Sequence, residues 1–340
     1  MRNSTLLALN CLLLAVGIGG GPLVMRLYFI HGGKRIWLEA WLESAGFPVN
    51  IVPLVAAYIH RHRQSINSST PAKLFFITKP LFLAATLIGF LAGAADYLYA
   101  YGVKHIPVST SSLILATQLA FTAVFAYVLV RQRFTAYAVN GVVLLTLGAA
   151  VLAMHTNSDR PDNVTKGQYL MGFFMTLASA AMFAALLPLM ELTYKTAKME
   201  IHYALVMEIQ SVLSLSATIL CTVGMAVNND FKAMQREAKD FELGEGMYCF
   251  VLVCSALVWQ CFYLGAAGTI HYGSSLLSGI IIAMALPVTE VLAVIIYHEK
   301  FQQEKAVSLA LSLWGFVSYF YGESKQSERS NEDQTIDHIP

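Results

Sequence analysis

The sequence predicts an all-α polytopic membrane protein of ten transmembrane helices, arranged as two inverted five-helix repeats. Three observations carry that reading. Of 340 residues, 56% are hydrophobic and 13% charged, about half the charged share of an ordinary soluble domain. Ten apolar runs approach the roughly 20 residues that cross a bilayer as a helix. A gap-free shift of 167 residues then lays part of the first half of the chain on the second.

The runs cover 6–29, 46–60, 81–103, 108–130, 137–154, 168–189, 203–227, 247–269, 276–297 and 306–321. The first starts almost at Met1 and leads into Pro22 and Arg26 without a cleavage-like site, so it reads as a membrane helix and not a signal peptide. Gly19-Gly20-Gly21-Pro22 is expected to weaken it near mid-depth, where transporters expose backbone to a substrate. Arg26 follows close behind, and a charge there marks a functional interior. Competing readings are close helix packing at the glycines, a simple kink at Pro22 and an Arg26 that snorkels to the interface. The second run is short. The amphipathic piece at 37–44 either extends it or lies at the interface, where Trp37, Trp41 and Phe47 suit an aromatic belt and Glu39 and Glu43 reach water.

The connections are polar. Residues 61–79 form a flexible loop, 155–166 are turn-rich, and 228–246 alternate acidic and basic side chains in a way that allows a helical turn. After Gly322 the tail has almost nothing to bury and reads as disordered. The chain therefore divides into a first repeat at 1–160, a second at 161–322 and a tail at 323–340.

The repeat rests on residues 124–154 falling on 291–321, with Arg131-Gln132-Arg133-Phe134 on His298-Glu299-Lys300-Phe301 and Gly148 on Gly315. Apolar helices also align by chance. A charged loop in register with its flanking helices argues against chance here. Five is odd, so the halves cross in opposite senses, with the cavity between them near the midplane. Basic residues divide almost evenly between the two sides, which is what such a repeat implies. Their concentration in the second loop, and the sequon Asn163-Val164-Thr165, favour cytosolic termini with the sequon on the far side.

The net charge of +1 offers no field for nucleic acid. Cys11, Cys221, Cys249, Cys254 and Cys261 lie in apolar stretches without metal-ligand spacing and read as small buried hydrophobes. No metal site or cofactor is expected.

Several motifs then occur in order: GGPLVMRLYF followed by GGKR-x-W, AGFP at 45–48, PVSTSSL-x-x-x-TQLAF at 107–121, LPLMELTYK at 187–195, WQCFYLGA at 259–266, LPVTEVLAV at 286–294, and HEKFQQEKAVSLALSLWGFVSYFYGE at 298–323. Together they resemble the plant purine permeases, from the first helix to Gly322. The resemblance implies the drug/metabolite transporter superfamily, cytosolic termini and proton-coupled uptake of adenine, cytokinins and related nitrogen heterocycles. Members of similar sequence also take up alkaloids or vitamin B6 forms. A multi-pass protein of the plasma membrane is the corresponding expectation.

The intramembrane polar residues are compatible with that implication. Gln118 and Gln260 lie near mid-helix, and an amide can donate and accept together against adjacent ring and exocyclic nitrogens. Trp259 and Tyr263 offer stacking faces for a flat ring. Asp96, which the shift of 167 lays on Tyr263, joins this candidate substrate site. A carboxylate in an apolar cavity binds a proton more readily, so Asp96 and Glu290 are the candidates for proton coupling, Glu290 first. Each has a plainer reading: helix packing for the aromatics, interhelical hydrogen bonds for the glutamines, and a static ion pair with Arg26 for either carboxylate. Glu191 and Glu208 lie near helix ends and reach water.

Two rival functions fit the sequence less well. An organellar antiporter of phosphorylated metabolites in the same superfamily calls for several Lys or Arg in the cavity, and Arg26 is the basic residue that falls inside a helix. A membrane-embedded enzyme calls for a motif such as HExxH or Gly-x-Ser-x-Gly, and neither occurs.

Overall fold

The computed structural model describes residues 2–65, 75–130, 136–154, 160–161, 164–197, 202–273, 275–299 and 303–336. Among these every regular element is helical: α1 (Arg2–Ile30), α2 (Ile36–Ala45), a 3-10 turn (Phe47–Asn50), α3 (Ile51–Ser65), α4 (Lys79–His105), α5 (Val108–Ala116), α6 (Gln118–Val130), α7 (Ala136–Met154), α8 (Lys166–Thr196), α9 (Tyr203–Val227), α10 (Asp230–Asp240), α11 (Glu245–Tyr272), α12 (Ser275–Tyr297) and α13 (Gln303–Ile336). Leu12, Leu87, Phe174 and Val253 are among the large apolar side chains left exposed on the outside. Such a surface is stable against lipid and not against water. The protein is a polytopic membrane protein.

Seven helices of the described residues are long and apolar enough to cross a bilayer, against ten runs in the sequence. The difference has local causes. Pro48 enters the 3-10 turn, so the second run holds only the short helix α3 and is not extended into one span with α2, because proline lacks the N–H that would continue a helix. α7 and α13 keep shorter apolar stretches, Val139–Gly148 and Lys305–Ser318.

Gly19-Gly20-Gly21-Pro22 does not break α1, which runs through them with Pro22 inside. Glycine acts here by letting backbones approach. A Cβ on Gly17 would lie 2.4 Å from the Phe262 amide nitrogen, and one on Gly265 would lie 2.3 Å from that of Leu14. α1 and α11 thus meet backbone to backbone, glycine on each side.

The principal packing partners are α1 with α11 and α12, α8 with α4 and α6, α4 with α9, α2 with α9, α4 and α11, α5 with α12, and α7 with α13. One apolar core, including Ile18, Tyr99, Leu119, Phe183, Leu213 and Trp259, lies where they converge.

α2 is interior, not interfacial. Glu39 and Glu43 are wholly buried, Trp37 stacks on Tyr97 at 4.0 Å, and Trp41 Nε1 donates to Thr222 Oγ1 at 2.9 Å. The amphipathic pattern that suggested a membrane surface is instead satisfied by packing on α4 and α9. Glu191 and Glu208 also do more than reach water. Glu191 accepts from the Ser275 backbone at 3.1 Å, and Glu208 from Phe76 and Ile77 at 2.8 and 3.0 Å.

The 228–246 connection carries a full helix, α10, tied to the segment after α1. Arg35 Nη1 lies 3.3 Å from Asp230 and its Nε 3.4 Å from Glu237. Glu237 also accepts from Tyr28 Oη and from the Lys34 backbone, and the Glu242 backbone donates to His31 O at 3.2 Å.

α13 continues through the polar residues to Ile336, where a disordered tail was expected from residue 323. Extending a formed helix costs far less than starting one. All five cysteines are free, but only Cys221 is buried and Cys249 is exposed. Asn163, the loop 131–134, and Lys300 and Phe301 lie outside the described residues.

Candidate functional site

The fourth run is two helices, not one. α5 ends at Ala116, Thr117 Oγ1 donates to Ile114 O at 2.6 Å, and α6 starts at Gln118. At such a break the backbone groups of the next helix are not fully used within it. Gln118, the first residue of α6, is buried there.

Around Gln118 the core opens into a cavity of two adjoining lobes. The larger, a narrow cleft with a cavity volume of about 20 Å³, lies between Phe183 and Leu187 of α8, Gln210 and Leu213 of α9, and Phe262 and Tyr263 of α11. The second runs to Ile18, Tyr99 and Trp259. Gln118, Phe183 and Phe262 border both. Phe183 and Phe262 meet edge to face at 6.4 Å, and Trp259 meets Phe262 and Tyr99 in the same way. Gln210 Nε2 donates to Ser214 Oγ at 3.0 Å while its Oε1 lacks a hydrogen-bond partner, as does Trp259 Nε1. Aromatic walls with a few polar groups that still have hydrogen bonds to make are suited to a flat, neutral, polar-edged molecule.

Of the residues singled out from the sequence, Gln118, Trp259 and Tyr263 come together around this cavity. Gln260 does not line it. It points across α11 to Asn50, donating to Asn50 Oδ1 at 2.7 Å. Asp96 stands behind the wall, accepting from Tyr263 Oη at 2.6 Å. Glu290, fully buried on α12, is elsewhere, within electrostatic range of Lys305 and Glu299. Arg26 faces neither carboxylate. It donates to Val103 O at 3.0 Å, and its Nε is 3.9 Å from Glu299. Glu299 in turn accepts from the backbones of Val108 and Ser109, holding the start of α5.

The sequence does not single out Gln210, Phe183, Phe262 or Asn50, and it places Glu43 at the membrane interface. Gln210 gave the same signal as Gln118, an amide inside an apolar run. Which face of α9 turns inward depends on the neighbouring helices, and no local pattern states that.

Comparison with known proteins gives the family. The family model for purine nucleobase transmembrane transport matches residues 5–329. Purine permease 3 of Arabidopsis thaliana is 54% identical over 95% of this chain and 92% of its own length. Purine permease 2 of the same plant is 46% identical over 99% and 97%. A solved crystal structure of a protein only 15% identical superposes with a TM-score of 0.57 over 95% of this chain and 98% of that one, a likeness of fold alone.

Proposed function

This chain belongs to the purine permease family, and on that premise we propose that it carries purine nucleobases and related nitrogen heterocycles, adenine and cytokinins among them, across a membrane together with protons. It is a transporter and not an enzyme. The observation that supports this substrate class is the cavity lining: aromatic faces, the amides of Gln118 and Gln210, and no Lys or Arg among the lining residues. A phosphorylated metabolite would leave its charge unpaired in such a place. Gln118 and Gln210 read the edge of the base, while Phe183, Trp259, Phe262 and Tyr263 stack on its faces. Asp96, through Tyr263, and Glu290 carry the coupled proton.

The reading includes ten membrane crossings as two inverted five-helix halves. Counting the runs from one to ten, with α2 and α3 as the second and α5 and α6 as the fourth, the packing supports it. Runs one and eight pack together, as do six and three; one and nine, as do six and four; three and seven, as do eight and two. Exchanging each run for the one five later leaves this scheme unchanged. Cytosolic termini and a plasma-membrane address belong to the same proposal.

The test is uptake of labelled adenine by cells expressing the chain at mildly acidic outside pH, challenged with cytokinins, nicotine-like alkaloids and pyridoxine. Concentrative uptake that a protonophore abolishes is expected, with competition by flat nitrogen bases. Uptake that merely equilibrates, indifferent to pH, would reduce the protein to a facilitator.

A further inference from the structure

We propose that Glu43 and Asp96 form a carboxyl pair holding one shared proton between α2 and α4, and that Glu43 is a proton-coupling residue of the transport cycle. The coupling part rests on the proton-linked transport just proposed; the pair itself rests on the burial of both carboxyls and the packing of α2 on α4.

Both residues have no exposed surface. Asp96 Oδ1 accepts from Tyr263 Oη at 2.6 Å, and Oδ2 has no partner. Neither oxygen of Glu43 has a hydrogen-bond partner of normal geometry. α2 packs on α4, and the two carboxyls interact electrostatically across that contact. The contact of α2 with α4 that brings them together also stacks Trp37 on Tyr97.

The surroundings decide the charge state. Facing the pair are Glu39 on α2, Tyr99 on α4, Cys221 on α9 and Tyr263 on α11. None of these is a cation. Glu39 accepts from Ser255 Oγ at 3.1 Å and adds a further carboxyl. Arg26 is directed to Glu299, and Arg35 to Asp230 and Glu237. Among the described residues no cation faces them, and two carboxylates confined together in that way cannot both ionise, so one proton is held by the pair and not by either residue alone. The Tyr263 hydroxyl donates to Asp96, which weights the shared proton toward Glu43. Buried Tyr99 Oη, which also lacks a partner and lies within electrostatic range of Glu43, completes a site with hydrogen-bonding capacity to spare.

Tyr263 joins this site to the ligand. Its ring lines the cavity and its hydroxyl is bonded to Asp96. A ligand that moves Tyr263 therefore changes how firmly the pair holds its proton. When water reaches the pair, the proton leaves to water and the two anions are solvated; when the site closes again, one proton must return. Sequence reading gave this role to Glu290, whose surroundings include Lys305 as a counter-charge.

Two measurements test this on the full chain in proteoliposomes. In the first, infrared absorbance of protonated carboxyls at neutral pH should fall in Glu43→Gln by the share of one group; unchanged absorbance overturns the pair. In the second, labelled adenine is taken up under an imposed pH gradient. Glu43→Gln should bring the ratio of uptake with and without the gradient to unity and flatten the pH profile, at normal protein level, with Glu43→Asp restoring part of both. A Glu43→Gln variant that concentrates adenine with a wild-type pH profile overturns the coupling role. If the wild-type chain itself ignores the gradient, proton-linked transport falls and the coupling role with it, while the infrared measurement still decides the pair.

Discussion

Gln118 and Gln260 look alike in sequence, each an amide inside an apolar run, yet they answer to different partners. Gln118 borders the cavity and Gln260 is bonded to Asn50. The expected consequences therefore separate. Gln118→Leu or Gln210→Leu should weaken adenine binding by about 1–3 kcal/mol, the range for a lost two-point contact to a base, with protein level near normal; competition assays on purified protein read this directly. Gln260→Leu should instead leave Asn50 without its donor and cost about 1–3 kcal/mol of stability, seen as a lower Tm with apparent affinity unchanged. An affinity loss in Gln260→Leu comparable to that in Gln118→Leu would return it to the ligand. What the sequence made legible at this scale was residue type and depth. Direction around the helix axis was not legible, because it is set by which helices pack on either side. Glu43 shows the cost of that: charges on a short amphipathic piece look the same whether the polar face meets water or, as here, a buried carboxyl and tyrosine on other helices.

Among the elements, α10 and the segment after α1 form a closure between parts of the chain remote in sequence. Arg35 is the cation between Asp230 and Glu237, which are 0% and 6% exposed. Removing it leaves two buried carboxylates facing one another. Breaking a buried pair costs about 3–5 kcal/mol; Arg35 is itself 30% exposed, so solvent screening puts Arg35→Gln at or below the lower end of that range. Thermal unfolding in detergent at two salt concentrations measures it, with a smaller loss expected at high salt. The same contact predicts a functional effect. If alternating access requires α10 to part from residues 31–35, then Arg35→Cys combined with Asp230→Cys should arrest adenine uptake under oxidation and recover it with a thiol reductant. Uptake that continues with the cross-link formed would make this a permanent tie. The alternation of charge at 228–246 announced a helical turn, and the structure extends it to a full amphipathic helix; its partner, a glycine-rich segment two hundred residues earlier, was beyond any local signal.

For the whole molecule, composition and the apolar runs specified a helical membrane protein, and Asp96 and Tyr263, which the shift of 167 lays on each other, are hydrogen-bonded. In the proposed inverted repeat, equivalent positions touch where the axis relating the halves passes between them, and that bond is where its pseudo-two-fold would run. The number of crossings was less legible, because Pro48, α7 and α13 depart from the length rule that counts helices. Topology distinguishes the possibilities by parity. Ten crossings return the C-terminus to the side of the N-terminus; seven leave the termini on opposite sides. Epitope tags at both ends, probed on intact and permeabilised cells, should both be reached only after permeabilisation. The sequon at Asn163 gives an independent reading, since after five crossings it faces away from the termini and any glycan there should be removable by a glycosidase. One terminus accessible on intact cells and the other only after permeabilisation would remove the second five-helix half as an inverted copy of the first, because the two halves cross in opposite senses only when each has an odd number of spans.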